Sequence, residues 1–345
     1  MKISTIGLDL AKNVFAVHGI DDAGRVLVKR NLRRAQVLKF FAGIEPCLVG
    51  MEASCGAYYW ARELRKLGHD ARLMPASYVK PFVKRGKTDA ADAAAICEAV
   101  TRPTMRFAAV KSEEQQGMLT LHRARDLLVR QRTQAVNVLR ALCAEFGIVA
   151  AKGKLPFASL AAMILDEGDE QLQQQARLAL KPVVEQIELL SRNVASLERQ
   201  IQICGRQAVS CRRLMTIPGI GPITAHALIN TVGDIGRFAS SRDLPAWIGL
   251  TAKPHSSGGK KKLGHISKQG DRYLRRLFVQ GASSLIRVAA TSKLSMAAWT
   301  RALLARRPAK VVAIALANKL ARIAWAVLTR NEDFSDHHRV AFKPT

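Results

Sequence analysis

Apolar and polar positions divide the start of the chain into three short strand-like stretches, 3–10, 13–20 and 25–32. Asn13 and the turn Asp21-Asp22-Ala23-Gly24 separate them at hairpin distances. A helical stretch follows around 35–43, then a strand at 47–52, a helix at 56–67 and a strand at 70–75. Two more helical stretches cover 76–84 and 88–99. Beyond residue 113 the period lengthens to that of extended helices. Residues 113–147 place Leu128, Arg132, Ala135, Leu139, Leu142 and Phe146 on a 4-3-4-3-4 ladder. Residues 181–206 carry a cleaner seam of Val183, Ile187, Leu190, Val194, Leu197, Ile201 and Cys204, whose 4-3 spacing over three heptads predicts a coiled coil. The stretch 151–156 and the acidic Asp166–Glu170 lie between these helices. The pair reads as an antiparallel helical hairpin or as an arm that pairs with another subunit.

Four carboxylates punctuate the first block. Asp9 sits inside Ile6-Gly7-Leu8-Asp9-Leu10-Ala11-Lys12, and Glu52 ends Cys47-Leu48-Val49-Gly50-Met51-Glu52. An unpaired carboxylate in such apolar surroundings is costly, so it calls for a partner or a metal. Asp89 and Asp92 are spaced i, i+3 at a predicted helix start and share a face. A cluster of hard oxygen donors suits Mg²⁺ or Mn²⁺. The order βββαβαβα, with acids ending the first and fourth strands and on a late helix, resembles an RNase H-like fold. The expected architecture is therefore an α/β N-terminal domain, then a helical coiled coil and a mainly α-helical C-terminal domain.

The 345 residues carry a formal net charge of +27 and a pI of about 10.5, which points to a polyanionic partner. A membrane surface is the competing polyanion, but the most apolar stretch, Lys310–Leu328, contains Asn318, Lys319 and Arg322. The first residues lack the pattern of a signal peptide. Membrane association is not expected, and a cytoplasmic, nucleoid-associated protein is. The six cysteines form no CxxC pair and read as small buried thiols.

From residue 212 the chain changes character. Arg212 to Ala225, with Ile217-Pro218-Gly219-Ile220-Gly221-Pro222, resembles the hairpin of a helix-hairpin-helix module, where Gly219 and Gly221 would let backbone N–H groups approach a phosphate. A glycine-rich turn between packed helices is the plainer reading. Residues 241–330 hold 18 Lys/Arg against Asp243 and Asp271 alone, an imbalance that suits a polyanion. Within it, His255-Ser256-Ser257-Gly258-Gly259-Lys260-Lys261-Lys262 puts a hydroxyl in a cationic, glycine-containing loop. Ser257 is a candidate nucleophile, assisted by His255 or a neighbouring cation; a flexible loop that only contacts phosphates is the alternative. Lys253, Lys260, Lys261, Lys262, Lys268, Arg272, Arg275 and Arg276 are candidate nucleic-acid contacts.

The motifs GLDLAK, MEAS, KTDAAD, IPGIGPITA and GLTAKPHSSGGKKKLGHISKQGDRYLR occur in this order over nearly the whole chain. Together they resemble the DEDD insertion-sequence transposase family, insertion sequence 110 type, and its eleven-eleven subgroup above all. The resemblance implies a RuvC-like domain at 1–108, a coiled-coil arm at 109–208, a serine transposase domain at 209–335 and a tail at 336–345. It further implies recombination guided by a structured non-coding RNA, with DNA as substrate. Position by position, Asp9, Glu52, Asp89 and Asp92 match the metal-binding acids and Ser257 the nucleophile, with Ser256 one residue away. The implied reaction cuts and rejoins DNA through a phosphoserine at a composite Mg²⁺ site, in a homo-oligomer expected to be a dimer of dimers. The alternatives are a metal-dependent, structure-selective nuclease with Ser257 idle, and a non-catalytic nucleic-acid-binding protein.

Overall fold

An Asx turn starts the sheet: the backbone N–H groups of Ala23 and Arg25 donate to Asp21 Oδ1 at 3.0 and 2.9 Å, and Gly24 takes a left-handed φ of 78°. This turn joins β2 (Val14–Ile20) to β3 (Val26–Arg33), and β2 pairs antiparallel with β1 (Thr5–Asp9). The chain continues through α1 (Val37–Ala42), β4 (Leu48–Glu52), α2 (Ala57–Lys66), β5 (Asp70–Met74), α3 (Ala76–Val79) and α4 (Asp89–Val100). The sheet order is β3-β2-β1-β4-β5, with β1–β4 and β4–β5 parallel. This mixed α/β arrangement is compatible with an RNase H-like fold.

The computed structural model describes residues 2–84, 88–149, 151, 154–256, 258–260 and 262–336, and it divides into two compact units, Met1–Glu114 and Gln115–Thr345. In the first unit, Ile6, Leu8, Val49 and Met51 face one side of the sheet and bury against Phe41 of α1 and Trp60 and Leu64 of α2. The other side lies under α4, whose Ile96, Ala99 and Val100 are buried with Met74 and Val79. The helical stretch read at 76–84 is only one turn followed by a 3₁₀ turn, Lys80–Phe82, that contains Pro81.

The second unit is helical. α5 (Glu113–Ala144) begins at the unit boundary, and α6 (Lys154–Leu165), α7 (Gln174–Gln207), α8 (Val209–Met215), α9 (Pro222–Val232) and α10 (Asp243–Ile248) follow. A two-stranded hairpin, β6 (Ala252–Pro254) and β7 (Leu263–Ile266), precedes α11 (Arg272–Val288), α12 (Ser295–Leu304) and α13 (Ala309–Arg330). α13 is apolar and long enough to cross a membrane by length and composition alone. It serves as a core helix here: Val312, Leu316, Leu320 and Ala324 are buried, several of them among Leu214, Leu228, Leu274 and Phe278.

The expected pair of long helices is present, but a third joins it. Leu139 and Cys143 of α5, Leu160 and Ile164 of α6, and Val184 and Ile187 of α7 form one buried cluster. Farther along, Arg125 of α5 donates to Glu198 of α7, so the two long helices run in opposite directions. The burial departs from the predicted ladders: Leu142 and Phe146 are exposed, whereas Leu180 and Val184 are buried beside Ile187 and Leu190. The acidic segment read as a connector wraps Arg177. Its buried guanidinium donates to the carbonyls of Met163 (2.7 Å) and Ile164 (3.0 Å) in the last turn of α6, where intrahelical donors run out, and to those of Asp166 and Asp169 (2.5 Å) beyond it.

Candidate active site

Side chains alternate along a strand. β1 therefore sends Ile6 and Leu8 into the core and Thr5, Gly7 and Asp9 to the face under α4, while β4 sends Gly50 and Glu52 the same way. Gly7 and Gly50 are register partners, so two neighbouring strands offer α4 bare backbone. A Cβ added to Gly7 would collide with the Ala93 carbonyl and the Cys97 backbone, and one on Gly50 would lie 2.7 Å from Val100 Cβ. The helix thus rests directly on the strands. Four helical residues advance ~6 Å and two strand residues ~6.6 Å. Cys97, Ala93 and Asp89 accordingly keep step with Thr5, Gly7 and Asp9, and Cys97 Sγ reaches the Thr5 carbonyl at 3.8 Å. α4 runs antiparallel to β1 and brings its first turn to Asp9. Thr88 starts that turn as its N-cap, its hydroxyl accepting from Ala91 N–H at 3.2 Å.

Asp9 and Glu52 are the last residues of adjacent strands, and Asp89 and Asp92 lie in the first turn of α4. Asp9 thus ends its strand, as the element order implied, and Leu10 falls outside it. Its carboxyl is pushed up to about 6, first by burial and then by the charges of Asp92, Asp89 and Glu52. Glu52 is also raised, by burial and then by Asp92. Asp9 therefore feels the other three acids, and Glu52 feels Asp92. Among the described residues no three ligating side chains gather tightly enough to form a metal centre. The donor set is nevertheless all oxygen, and its mutual repulsion is what a hard divalent cation relieves, so the residues fit such an ion. Of the aromatic residues after Glu52, Trp60 packs edge-on against Phe15 at 5.0 Å, and the Tyr58 hydroxyl accepts from Lys111 Nζ at 2.9 Å.

The predicted serine segment is a hairpin, not a plain loop. At its neck Ser267 N–H donates to the Thr251 carbonyl (2.8 Å) and Lys268 N–H to that of Gly249 (3.1 Å). His255 N–H donates to the Lys262 carbonyl at 2.7 Å nearer the tip. Ser256 Oγ accepts from Lys262 N–H at 3.2 Å, so that hydroxyl helps close the hairpin. Ser257 and Lys261 lie outside the described residues. Lys253, Lys260, Lys262, Lys268 and Arg272 are exposed on the hairpin and at the start of α11. Two of the predicted phosphate contacts also have internal partners. Arg275 donates to the carbonyls of Ile248 (2.8 Å) and Gln269 (3.0 Å), and Arg276 pairs with Asp126.

The glycines of the IPGIGP turn differ in use. Gly219 has a left-handed φ of 84° and abuts Gly281 of α11, while a Cβ on it would lie 2.9 Å from Leu285 Cδ1. That is a close-packing role. Gly221 caps α9 and has open space around it, which leaves the N–H groups at that helix start approachable. Sequence reasoning missed the Gly7–Gly50 pair; its signal was a glycine at the same distance before each strand-ending acid.

Two family models match the chain. A DEDD IS110 model, described as a transposase, covers residues 6–147, and the Transposase IS116/IS110/IS902 family covers residues 211–297. The chain is 47% identical over 331 residues to a "Probable family 20 transposase" of Pseudomonas aeruginosa strain PAO1, spanning 96% of this chain and 98% of that protein. It is 41% identical over 333 residues to the "Transposase for insertion sequence element IS1328" of Yersinia enterocolitica, covering 96% and 99%. Identity to the "Transposase for insertion sequence element IS1111A" of Coxiella burnetii is 38% over 334 residues, covering 96% and 91%. These matches make the protein a transposase, and it belongs to the IS110 family of DEDD insertion-sequence transposases. Its substrate class is DNA, and the family implies a divalent metal ion.

Proposed function

We propose that this transposase is an RNA-guided, site-specific recombinase that cuts and rejoins DNA through a phosphoserine at Ser257. The observation that carries the reading is the placement of Asp9 and Glu52 at the ends of adjacent strands and of Asp89 and Asp92 in the first turn of α4, with the Asp9 carboxyl raised first by burial and then by the other three charges. These acids would hold Mg²⁺ or Mn²⁺. When bound, the cation would polarise the scissile phosphate and stabilise charge on the leaving oxygen. Ser257 Oγ attacks phosphorus and gives up its proton to His255 or water. The P–O bond to the leaving DNA oxygen breaks, leaving a phosphoserine and a free DNA hydroxyl. Attack by a hydroxyl end reverses these bond changes and rejoins the strand, so no outside energy source is consumed.

The engagement of Ser256 in closing the hairpin supports Ser257 over its neighbour. Lys253, Lys260, Lys261, Lys262, Lys268 and Arg272 would contact the phosphate backbone, which gives affinity without sequence information. Sequence would be read by a structured guide RNA, a reading supported by the family resemblance and the +27 charge. Two duplexes and four strand cuts suit a dimer of dimers assembled through a coiled-coil arm built on α5 and α7. The test is excision in cells, with the gene in its native flanking DNA and the circular junction amplified. Wild type is expected to form junctions, and Asp9→Ala and Ser257→Ala to form none. Junctions at the wild-type level from Ser257→Ala would reject the serine and favour a metal-only mechanism or Ser256.

A further inference from the structure

A chain of buried polar side chains crosses the second unit at the root of the two long helices. His122 of α5 is 1% exposed and His226 of α9 is 3% exposed, and their Nε2 and Nδ1 atoms lie 2.8 Å apart. On its other side, His122 Nδ1 lies 3.1 Å from the Tyr273 hydroxyl in the first turn of α11. Arg125, one turn along α5, bears on the same phenol through its positive charge, and Glu198 of α7 holds that guanidinium at 2.8 Å. Three helices far apart in sequence therefore meet at one imidazole.

Buried polar groups of this kind need every donor matched to an acceptor. Burial, then His226 and Arg125, hold His122 down at about 3, and burial lowers His226 as well, so both rings are neutral. Each neutral ring has one donor and one acceptor. The positive Arg125 guanidinium favours a Tyr273 hydroxyl whose proton points away from it, at His122 Nδ1. His122 then carries its proton on Nε2 and donates to His226 Nδ1, leaving the His226 proton on Nε2. In this order the chain runs from Tyr273 to His122 to His226.

The elements joined this way bear on DNA handling. α9 starts at the open Gly221 turn, and Tyr273 follows Asp271, the N-cap that receives Leu274 N–H at 2.8 Å. Directly before it runs the segment carrying Lys268 and hairpin β6–β7. We propose that His122 is a positioning residue for transposition: through this proton-ordered chain it fixes the root of the long helices against the first turns of α9 and α11, and so sets the hairpin and Gly221 turn relative to them. The proposal rests on the transposase activity of the family and not on the identity of the nucleophile.

The test compares Tyr273→Phe, His122→Phe and His122→Gln in the full-length protein. Junction formation, affinity for a duplex carrying the element's native flank, and thermal melting are measured for each. Loss of a buried hydrogen bond that leaves its partner unmatched predicts about a tenfold or greater fall in junctions for both Phe variants. Flank affinity should stay within about twofold, in protein still folded at the assay temperature. His122→Gln, whose amide can still donate toward His226, should recover part of the loss. Nitrogen-15 histidine spectra should show the Nε2–H tautomer at both rings. Wild-type junction levels in the Phe variants would overturn the proposal. So would a loss of junctions that only follows the loss of folded protein or of flank binding, or an Nδ1–H tautomer at His122. A Ser257→Ala variant that still recombines would reject the serine mechanism and leave this outcome readable.

Discussion

A single methyl group at Gly7 should disable this enzyme without touching any of its acids. The added Cβ would lie 2.8 Å from Cys97 Cβ and closer still to the Ala93 carbonyl and the Cys97 amide nitrogen. Comfortable carbon–carbon contact is ~3.5–4.0 Å, so α4 has to lift by about 1 Å. Overpacking of this kind costs ~1–3 kcal/mol, which for a unit of this size lowers melting by roughly 10 °C. Asp89 and Asp92 ride on the same helix, and a ~1 Å misplacement of reacting groups costs up to ~100-fold in rate. Gly50→Ala provides the contrast, because the three atoms nearest its Cβ all belong to the Val100 side chain, at 2.7, 3.0 and 3.1 Å. Val100→Ala removes two of those three atoms and should partly rescue Gly50→Ala. No side-chain truncation should rescue Gly7→Ala, whose closest obstacles are backbone atoms. Thermal melts and junction counts on the four single and double variants decide the matter. A Gly7→Ala protein with unchanged melting and wild-type junctions would refute the packing argument.

Other consequences follow from the same contacts. Asp9→Asn removes one of four mutually repelling charges, so metal-free protein should melt higher, by about 1 kcal/mol after allowance for solvent screening. Added Mg²⁺ or Mn²⁺ should raise the melting point of wild type but not of this variant; equal responses would contradict the metal assignment. Arg177→Ala leaves several buried carbonyls unmatched and should destabilise the α5–α6–α7 cluster by roughly 3 kcal/mol, seen as earlier hydrogen exchange in α6. His122 is held near 3 in the folded chain, against 6.5 ordinarily, so the unfolded chain binds the extra proton and stability is lost as pH falls below 6.5. Its surroundings are His226, Tyr273 and Arg125, with Glu198, Asp126 and Arg276 behind them. Between pH 7 and 5 this histidine alone should cost about 2 kcal/mol, because pH 5 is still above its folded value. His122→Gln should flatten that part of the melting profile, and an unchanged slope would count against the burial of a neutral ring.

Local features of the sequence carried the N-terminal unit. Hairpin turns, strand-ending acids and the Thr88 cap act over a few residues, and the strand order places Asp9 beside Glu52 without further information. The coupling of Gly7 to Cys97 spans ninety residues, so the sequence shows a glycine but not what lies against it. α6 escaped notice because it begins beside Lys152 and Gly153 and contains Pro156, which mimic a linker. β6 and β7 are three and four residues long and lack clear alternation, so the hairpin read as a cationic loop. Arg275 and Arg276 read as phosphate contacts by charge, and their internal bonds to carbonyls near the hairpin neck and to Asp126 were not legible in the sequence. Charge alone does not tell a cation that binds DNA from one that holds the fold together. Nothing local in the sequence sets His122 apart, because its partners lie in α9 and α11, far along the chain.

The central claim is a covalent link between DNA and Ser257. The most direct measurement is to stall the full-length protein on native flank DNA with its RNA, denature it, and locate the nucleotide-bearing residue by mass spectrometry. The account requires a phosphodiester remnant on Ser257, absent from Ser257→Ala and from Asp9→Ala. Efficient strand cutting with no protein-bound DNA, or a remnant on Ser256 or any other residue, would contradict it.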